Sequence, residues 1–174
     1  MGVNMLLTIG GVILFSTFVL YTNVLMFDNV KVSADNEFLI TAISLAQSVI
    51  DEAKMKAFDE NTVSGSVTSP SSLTPSNSLS SEGSGEAVSN PDTAQQNGSA
   101  SLTKFDDIDD YNGYVRLVDT PRAENYRIET AVNYASETYP DSIKSSQTFC
   151  KKMTVTVTSP FIPQPIRLSY AFTY

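Results

Sequence analysis

The sequence predicts an α+β fold in which a long N-terminal helix packs on a small antiparallel β-sheet. Three patterns support this prediction. Residues 5–27 form an apolar run without a charged residue, residues 38–57 repeat apolar positions at helical spacing, and four later segments alternate apolar and polar residues. Repeats of about 3.6 and 2 residues are typical of an amphipathic helix and of a half-buried strand, respectively.

The apolar run is long enough to cross a membrane. A helix rises about 1.5 Å per residue, so roughly 20 apolar residues span the hydrocarbon core of a bilayer. A buried core helix and a secretory signal peptide are the alternatives, but a signal peptide needs a basic start, and no Lys or Arg precedes Lys31. We therefore expect residues 1–27 to form a transmembrane or filament-core helix segment.

Residues 28–60 predict an amphipathic continuation of that helix. No Pro or Gly lies between Val12 and Phe58, so the two helical stretches can join without a break. The apolar face of the second stretch recurs every three or four residues and needs a covering layer. Its members are Phe38, Leu39, Ala42, Ile43, Ala46, Val49, Ile50, Ala53 and Ala57.

The tract 61–104 differs in composition from the rest of the chain. Serine is its commonest residue, with Thr, Gly, Asn and Pro supplying much of the remainder and few large apolar side chains. Such a composition buries too little apolar surface to offset the entropy of ordering. We expect a flexible loop or linker, in which the glycosylation motif at Asn97 is short enough to occur by chance.

The last segment, 105–174, predicts an antiparallel sheet domain that packs on residues 38–58. Alternation of apolar and polar residues marks the strands and gives the sheet one apolar face. Because the second helical stretch also has one apolar face, laying it across the sheet buries both faces in two layers. The predicted strands are 114–118, 126–134, 153–158 and 166–174.

Composition excludes several classes of function. The net charge of −8 and the scattered cationic residues argue against a nucleic-acid partner, which needs clustered Lys and Arg for phosphate contacts. The absence of His removes the nucleophile pairs that use it as a base, together with most zinc sites. The single Cys150 cannot form an internal disulfide and is expected to be a small apolar residue. We expect no enzymatic activity.

One acidic turn is the only concentration of potential ligands for a metal. Hard cations such as calcium bind clustered carboxylate and carbonyl oxygens, but the EF-hand order fails here because Ile108 occupies the place of its first Asp. The favoured alternative is a solvated acidic turn with local side-chain hydrogen bonds to the backbone. No other cofactor is expected. The candidate calcium ligands are Asp106, Asp107, Asp109, Asp110 and Asn112.

Three segments together resemble type IV pilin-like proteins, in particular minor pilins of the MshD type from the mannose-sensitive haemagglutinin pilus. They are LAQSVIDEAKMKAFDENT at 45–62, FDDIDDYNG at 105–113 and KMTVTVT at 152–158. The resemblance implies a long N-terminal helix on an antiparallel sheet, and a structural role as a minor pilin or pseudopilin in a filament or secretion assembly. Prepilins carry a basic leader and a Glu at the fifth mature position; cleavage after Gly2 would place Leu7 there instead.

The resemblance also implies partners and a location. Other pilin-like subunits, identical or different, would associate through the apolar helix, and the inner membrane with its pilus or secretion machinery would hold the subunit before assembly into an extracellular filament or a periplasmic one. The alternative is a single-pass membrane-anchored binding module with calcium at the acidic turn. The residues expected to form the assembly helix are Leu6, Leu7, Ile9, Gly10, Gly11, Val12, Ile13, Leu14, Phe15, Phe18, Val19 and Leu20.

Overall fold

A computed structural model describes residues 2–81, 83, 85–93 and 98–174. The chain forms two compact units that divide between Phe38 and Leu39. The first is helical throughout its described residues. The second, called the globular unit here, contains the end of that helix, the sheet and the tract between them. A long helix and a small antiparallel sheet are therefore confirmed.

Helix α1 runs without interruption over Gly2–Ala53. Polar side chains in its apolar part form local hydrogen bonds. The hydroxyl groups of Thr8, Thr17 and Thr22 donate to carbonyls three or four residues earlier. Such internal bonds remove the cost of placing a hydroxyl in an apolar environment. The helix is long and apolar enough to cross a membrane by length and composition.

The helix ends at Ala53, earlier than the expected boundary at residue 60. The backbone of Ala57 is instead engaged by the acidic turn. Its N–H donates to the carbonyl of Asp106 at 2.9 Å, and its carbonyl accepts from the N–H of Ile108 at 3.0 Å. These two bonds form an isolated parallel bridge, which is incompatible with a helical conformation at that position. A tertiary contact therefore overrides the helical periodicity.

The sheet has four strands in the order β1-β2-β3-β4, and every neighbouring pair is antiparallel. All four strands lie close to their predicted bounds, except that β3 begins at Cys150 rather than Met153. The predicted inward faces of β2 and β3 are confirmed, since alternate residues of both strands are buried. The bounds are Val115–Val118 for β1, Tyr126–Tyr134 for β2, Cys150–Thr158 for β3 and Ile166–Thr173 for β4.

The core of the globular unit combines this sheet face with one side of the end of α1. Five of the nine residues predicted for the apolar helix face are buried and mostly small, which permits close approach, whereas Leu39 and Ile43 of that face are 36% and 40% exposed. Strand β4 is only partly covered: Phe172 is buried, whereas Tyr170 is 41% exposed. The buried apolar helix residues are Ala42, Ala46, Val49, Ile50 and Ala53.

The described residues of the Ser-rich tract, expected to be a flexible loop or linker, form a loop with short helical turns, and their flexibility stays a prediction. They include helix α2 at Glu60–Val63, a short 3-10 helix at Pro70–Ser72 and helix α3 at Ser101–Lys104. Leu73 and Leu79 are buried in the globular unit. A few apolar anchors and many side-chain hydrogen bonds thus hold a segment whose average composition predicted disorder. Asn97 lies outside the described residues.

Candidate functional site

The acidic turn forms its own hydrogen-bonded cap. Asp107 Oδ1 accepts from the N–H groups of Asp109 and Asp110, at 2.6 and 3.2 Å. Asp110 Oδ2 accepts in turn from the N–H groups of Asp106 and Asp107, at 3.0 and 3.3 Å. The two carboxylates thereby satisfy backbone donors that a short 3-10 helix at Asp109–Tyr111 leaves unpaired.

This turn is not solvated, which corrects the favoured expectation. Asp107 and Asp109 are fully buried and Asp110 is 3% exposed, whereas Asp106 is exposed. The expected local hydrogen bonds are present, but they form inside the protein because the turn lies under the tract 61–104 and beside β2 and β3. Burial of several acids together requires either a cation or retained protons.

The cation is Lys151, on the central strand β3. Its Nζ donates to Asp109 Oδ1 at 2.5 Å, to Asp59 Oδ2 at 2.7 Å and to the carbonyl of Phe58 at 2.8 Å. The three side chains of what we call the lysine cluster (Lys151, Asp59 and Asp109) are all 0% exposed. One ammonium group therefore faces two carboxyl groups away from water.

The two carboxyl groups of the lysine cluster titrate differently. Burial raises the pKa of Asp109 to about 7, against the attraction of Lys151. Burial acts on Asp59 too, but hydrogen bonds from Lys151 and from the N–H groups of Thr74 and Asn61 outweigh it and hold its pKa below the ordinary value. Asp59 is therefore the ionised partner, and Asp109 carries a proton over much of the range below neutral pH.

Aromatic side chains enclose the lysine cluster. The Lys151 Nζ lies 4.7 Å from the ring centre of Phe58 and 5.2 Å from that of Tyr134. The Tyr134 hydroxyl lies 3.1 Å from Asp59 Oδ2 and 2.7 Å from the Thr74 carbonyl oxygen, and its single proton is shared between these two acceptors. Ring faces attract a cation and also exclude water, so the polar atoms of the cluster meet in a dry environment.

A second buried network holds the end of α1 to the sheet. Glu52 Oε2 accepts from Arg116 of β1 at 2.8 Å, while its Oε1 accepts from the hydroxyls of Tyr111 at 2.9 Å and Ser101 at 2.5 Å. The two charged side chains are only 8% and 12% exposed. Helix α1, strand β1, helix α3 and the 3-10 helix at Asp109–Tyr111 thus converge on one carboxylate.

The five residues expected to bind calcium do not act as one ligand set in this arrangement. Asp107 and Asp110 cap backbone N–H groups, and Asp109 contacts Lys151. Asn112 joins two segments, donating to the Leu79 carbonyl at 2.8 Å and accepting from the Val132 N–H at 3.0 Å. Four of the five side chains therefore make structural contacts, and calcium binding stays a prediction.

A different trio of acids could hold a divalent cation. Carboxylate oxygens of Glu60, Glu86 and Asp106 lie within 4.8 Å of one another among the described residues. Glu60 and Glu86 were not predicted from the sequence, because the three residues are far apart along the chain. Glu60 Oε2 is also buried without a hydrogen-bond partner among the described residues. Partly exposed acids nevertheless often cluster without a cation.

Lys151 and Asp59 were also missed as site residues, although a signal existed. Extending the alternation of Met153, Val155 and Val157 back by two positions places Lys151 on the inward face of β3. A cation on a buried face needs an acidic partner from another segment. The sequence therefore indicated that Lys151 needs an acidic partner, but nothing in it identified which acid that partner is.

The predicted assembly helix lies in the first unit. Its large apolar side chains are all exposed there, from 39% at Val19 to 74% at Leu7. None of the described residues before Leu39 is buried. A methyl group added to Gly10 or Gly11 would meet no atom within 4 Å, so this part of the helix surface is open.

Comparisons of the chain with protein-family models, with curated proteins and with solved structures found no match. Function must therefore be inferred from the chain's own residues. Two features are informative: an apolar helix without any burial in the described residues of the first unit, and a globular unit that buries an unusual number of charged groups.

Proposed function

We propose that this chain is a pilin-like structural subunit, a minor pilin or pseudopilin, of a type IV pilus-like filament or a secretion assembly. The observation that carries the proposal is the exposure of the apolar side chains of α1 along residues 5–27. A continuous apolar surface of this size is unfavourable in water and marks a membrane or protein contact. Lipid covers it before assembly, and helices of other subunits cover it afterwards.

The helix surface supports association between subunits. Gly10 and Gly11 place no side chain on the helix, so a neighbouring backbone can approach closely, and close approach is what favours helix association without water. The exposed Ile9, Val12 and Ile13 flank these glycines and supply packing area. Partners of this kind are other copies of the chain or related subunits with similar helices.

The continuity of α1 also favours a subunit over a simple anchor. The same helix begins in the apolar run and ends inside the globular unit, where Glu52 binds Arg116. A tethered module needs no such continuity, because a flexible linker would serve equally well. The three segments that resemble minor pilins lie at the helix end, the acidic turn and β3, which are the buried parts of the globular unit.

The second candidate is a single-pass membrane-anchored binding module. The acidic trio of Glu60, Glu86 and Asp106 favours it, because three carboxylates close together can bind calcium. In that case the helix remains in the membrane, and the globular unit binds its partner from there. The two candidates share the membrane helix and differ in whether the chain leaves the membrane.

Shearing of the native cells distinguishes the candidates. We expect the chain in the sheared surface filaments, and its intact mass and first residue would show any processing. Recovery only in membranes contradicts the filament proposal and supports the anchored module.

A matched pair of variants tests the role of the apolar run. Ile13 and Val32 are both 58% exposed, but only Ile13 lies within residues 5–27. Ile13→Lys should remove the chain from filaments and weaken membrane insertion by about 3 kcal/mol. Val32→Lys should preserve membrane insertion, and equal losses in the two variants would show that the run has no special role.

A further inference from the structure

The lysine cluster has more acid than its single cation requires. The ion pair between Lys151 and Asp59 is already complete, with one ammonium and one ionised carboxylate at 2.7 Å. Asp109 adds a second carboxyl group at 2.5 Å from the same Nζ. We infer that Lys151 and Asp109 condense to form an intramolecular amide bond between Nζ and Cγ, with Asp59 as the proton carrier.

The geometry brings the reacting groups together. The Lys151 Nζ touches an oxygen of the Asp109 carboxyl group, and the carbon to be attacked is one bond further on. Both side chains are fixed by their elements, Lys151 on the central strand and Asp109 in the 3-10 helix. Holding two reactants in contact makes the step effectively unimolecular, which removes the entropic cost of bringing a free amine and acid together.

Burial favours the amide over the ion pair. An amide forms from an acid and an amine with release of water. Because the site excludes water, hydrolysis of the amide is disfavoured. Burying charged groups is costly, whereas the amide is neutral. Asp109 Oδ2 has no hydrogen-bond partner among the described residues. An oxygen without a donor is more easily buried as part of a neutral acid or amide than as part of a carboxylate.

The protons of the reaction balance within the lysine cluster. Asp109 begins as the neutral acid, in keeping with its raised pKa of about 7. The Lys151 ammonium transfers one proton to the ionised Asp59, and the free amine electron pair attacks Asp109 Cγ. Asp59 passes that proton to the departing hydroxyl group, which leaves as water. The nitrogen then gives its second proton to Asp59, so the products are amide, water and neutral Asp59.

The surrounding residues assist these transfers. Asp59 contacts Nζ directly and also forms a side-chain hydrogen bond with Asp109, so it can accept the proton from Nζ and pass it to the Asp109 carboxyl group without a water relay. The Phe58 and Tyr134 rings close the site on the side of Nζ. No metal, oxidant or enzyme is needed, and the bond forms whether or not the chain enters a filament.

The amide ties the acidic turn to the middle of the sheet. It joins positions separated by 42 residues and closes a loop that contains β1 and β2. A covalent link of this kind restricts the unfolded chain as a cross-link does. In a subunit exposed to shear, it would prevent the turn from separating from β3.

Intact-mass measurement of the full-length chain in detergent tests the proposal. We expect a mass lower than that of the sequence by one water, and a branched peptide joining residues 109 and 151 after proteolysis and fragmentation. A mass equal to that of the sequence overturns the proposal. So does a lost water that fragmentation places on any other residue.

The chain supplies its own control. Lys152 contacts Asp141 at 2.7 Å, but Asp141 is 99% exposed. Contact alone should not cause condensation in water, so peptides containing these two residues should stay separate. A cross-link at both pairs would show that proximity during handling, and not the buried site, caused the reaction.

Two variants separate chemistry from folding. Asp109→Asn keeps the shape of the side chain and forms the same amide by losing ammonia, so its final mass should equal that of the mature wild-type chain. Retention of its full mass would contradict Asp109 as the acceptor. Asp59→Asn removes the proton carrier; the purified folded variant should retain uncondensed chain after incubation, and complete condensation at the wild-type rate would overturn that role.

Discussion

The two units of this protein depart from ordinary soluble-protein packing in opposite ways. The helix before Leu39 turns large apolar side chains outward, and none of its described residues is buried. The globular unit encloses ionisable groups, with Asp59, Asp107, Asp109 and Lys151 all at 0% exposure. One region has apolar groups on the outside, and the other has charges on the inside.

The difference shows where each region finds its stability. An exposed apolar surface requires an external partner, either lipid or another helix. Buried charges must be satisfied by residues of the same chain, because a bilayer or a neighbour cannot reach them. We therefore expect substitutions in the first unit to alter association without changing the unfolding of the globular unit, and substitutions in the buried networks to do the reverse.

The largest expected effect comes from removing the cation of the second network. Arg116→Met leaves Glu52 buried with hydroxyl donors but no opposite charge. Breaking a buried pair on one side typically costs about 3–5 kcal/mol. Denaturant unfolding of the full-length chain in detergent should show this loss, while membrane association should be unchanged.

A surface pair provides the control for that variant. Arg127 contacts Glu129 at 2.6 Å, but both side chains are nearly half exposed. Arg127→Met should therefore cost less than about 1 kcal/mol. Equal losses for Arg116→Met and Arg127→Met would contradict the claim that burial makes the internal network decisive.

A pH dependence of intermediate size should arise from the acidic turn. Burial is the largest cause that raises the pKa of Asp107, to about 8, and it acts whether or not Lys151 and Asp109 are joined. Burial also raises the pKa of Asp110 to about 6. The folded chain then binds more protons than the unfolded chain, so stability is fully present below about pH 4 for these groups and is lost as pH rises through 8.

We expect the free energy of unfolding to fall by roughly 5 kcal/mol between about pH 5 and pH 9, most of it from Asp107. Asp107→Asn should reduce this fall, because a neutral amide keeps the Oδ1 acceptor for the two backbone N–H groups. Asp106→Asn is the control, since Asp106 is exposed. Stability that rises over this range in the wild-type chain would show that the turn is buried in its ionised form.

The smallest expected effect uses the same substitution in both units. Gly113 has a φ of +78°, where an added side chain is strained even though no atom lies within 4 Å. Gly113→Ala should lower the free energy of unfolding by about 1 kcal/mol. Gly11→Ala lies in a regular helix, where Ala is more stable than Gly by about 1 kcal/mol. It should leave the free energy of unfolding of the globular unit unchanged, and a gain of that size would mean that the two units unfold together.

Much of the fold was predictable because its signals are local. The alternation of β2 identified both its bounds and its inward face, since side-chain direction in a strand depends only on position. The helical spacing of Ala42, Ala46 and Val49 identified the buried side of α1 in the same way. The predicted end of the helix was less accurate, because the pairing of Ala57 with the acidic turn is a contact between distant segments.

The candidate site was predictable in place but not in role. The run of acids at 106–110 marked the turn, yet the same residues would look identical in a solvated loop. Whether Asp109 contacts water, a metal ion or an ammonium group depends on which segments of the chain pack against the turn. Here Leu73 and Leu79 of the Ser-rich tract are buried in the globular unit, although the composition of that tract predicted a flexible loop or linker.

The sequence by itself determined the membrane-length helix, the four strands and the buried faces of β2, β3 and the end of α1. These depend on hydrophobicity and on backbone periodicity, which neighbouring residues establish. Only the tertiary structure decided that Lys151 meets Asp59 and Asp109, which lie 92 and 42 residues away. The energy of a charged group depends on its solvent and its partners, and both are determined by segments that are distant along the chain.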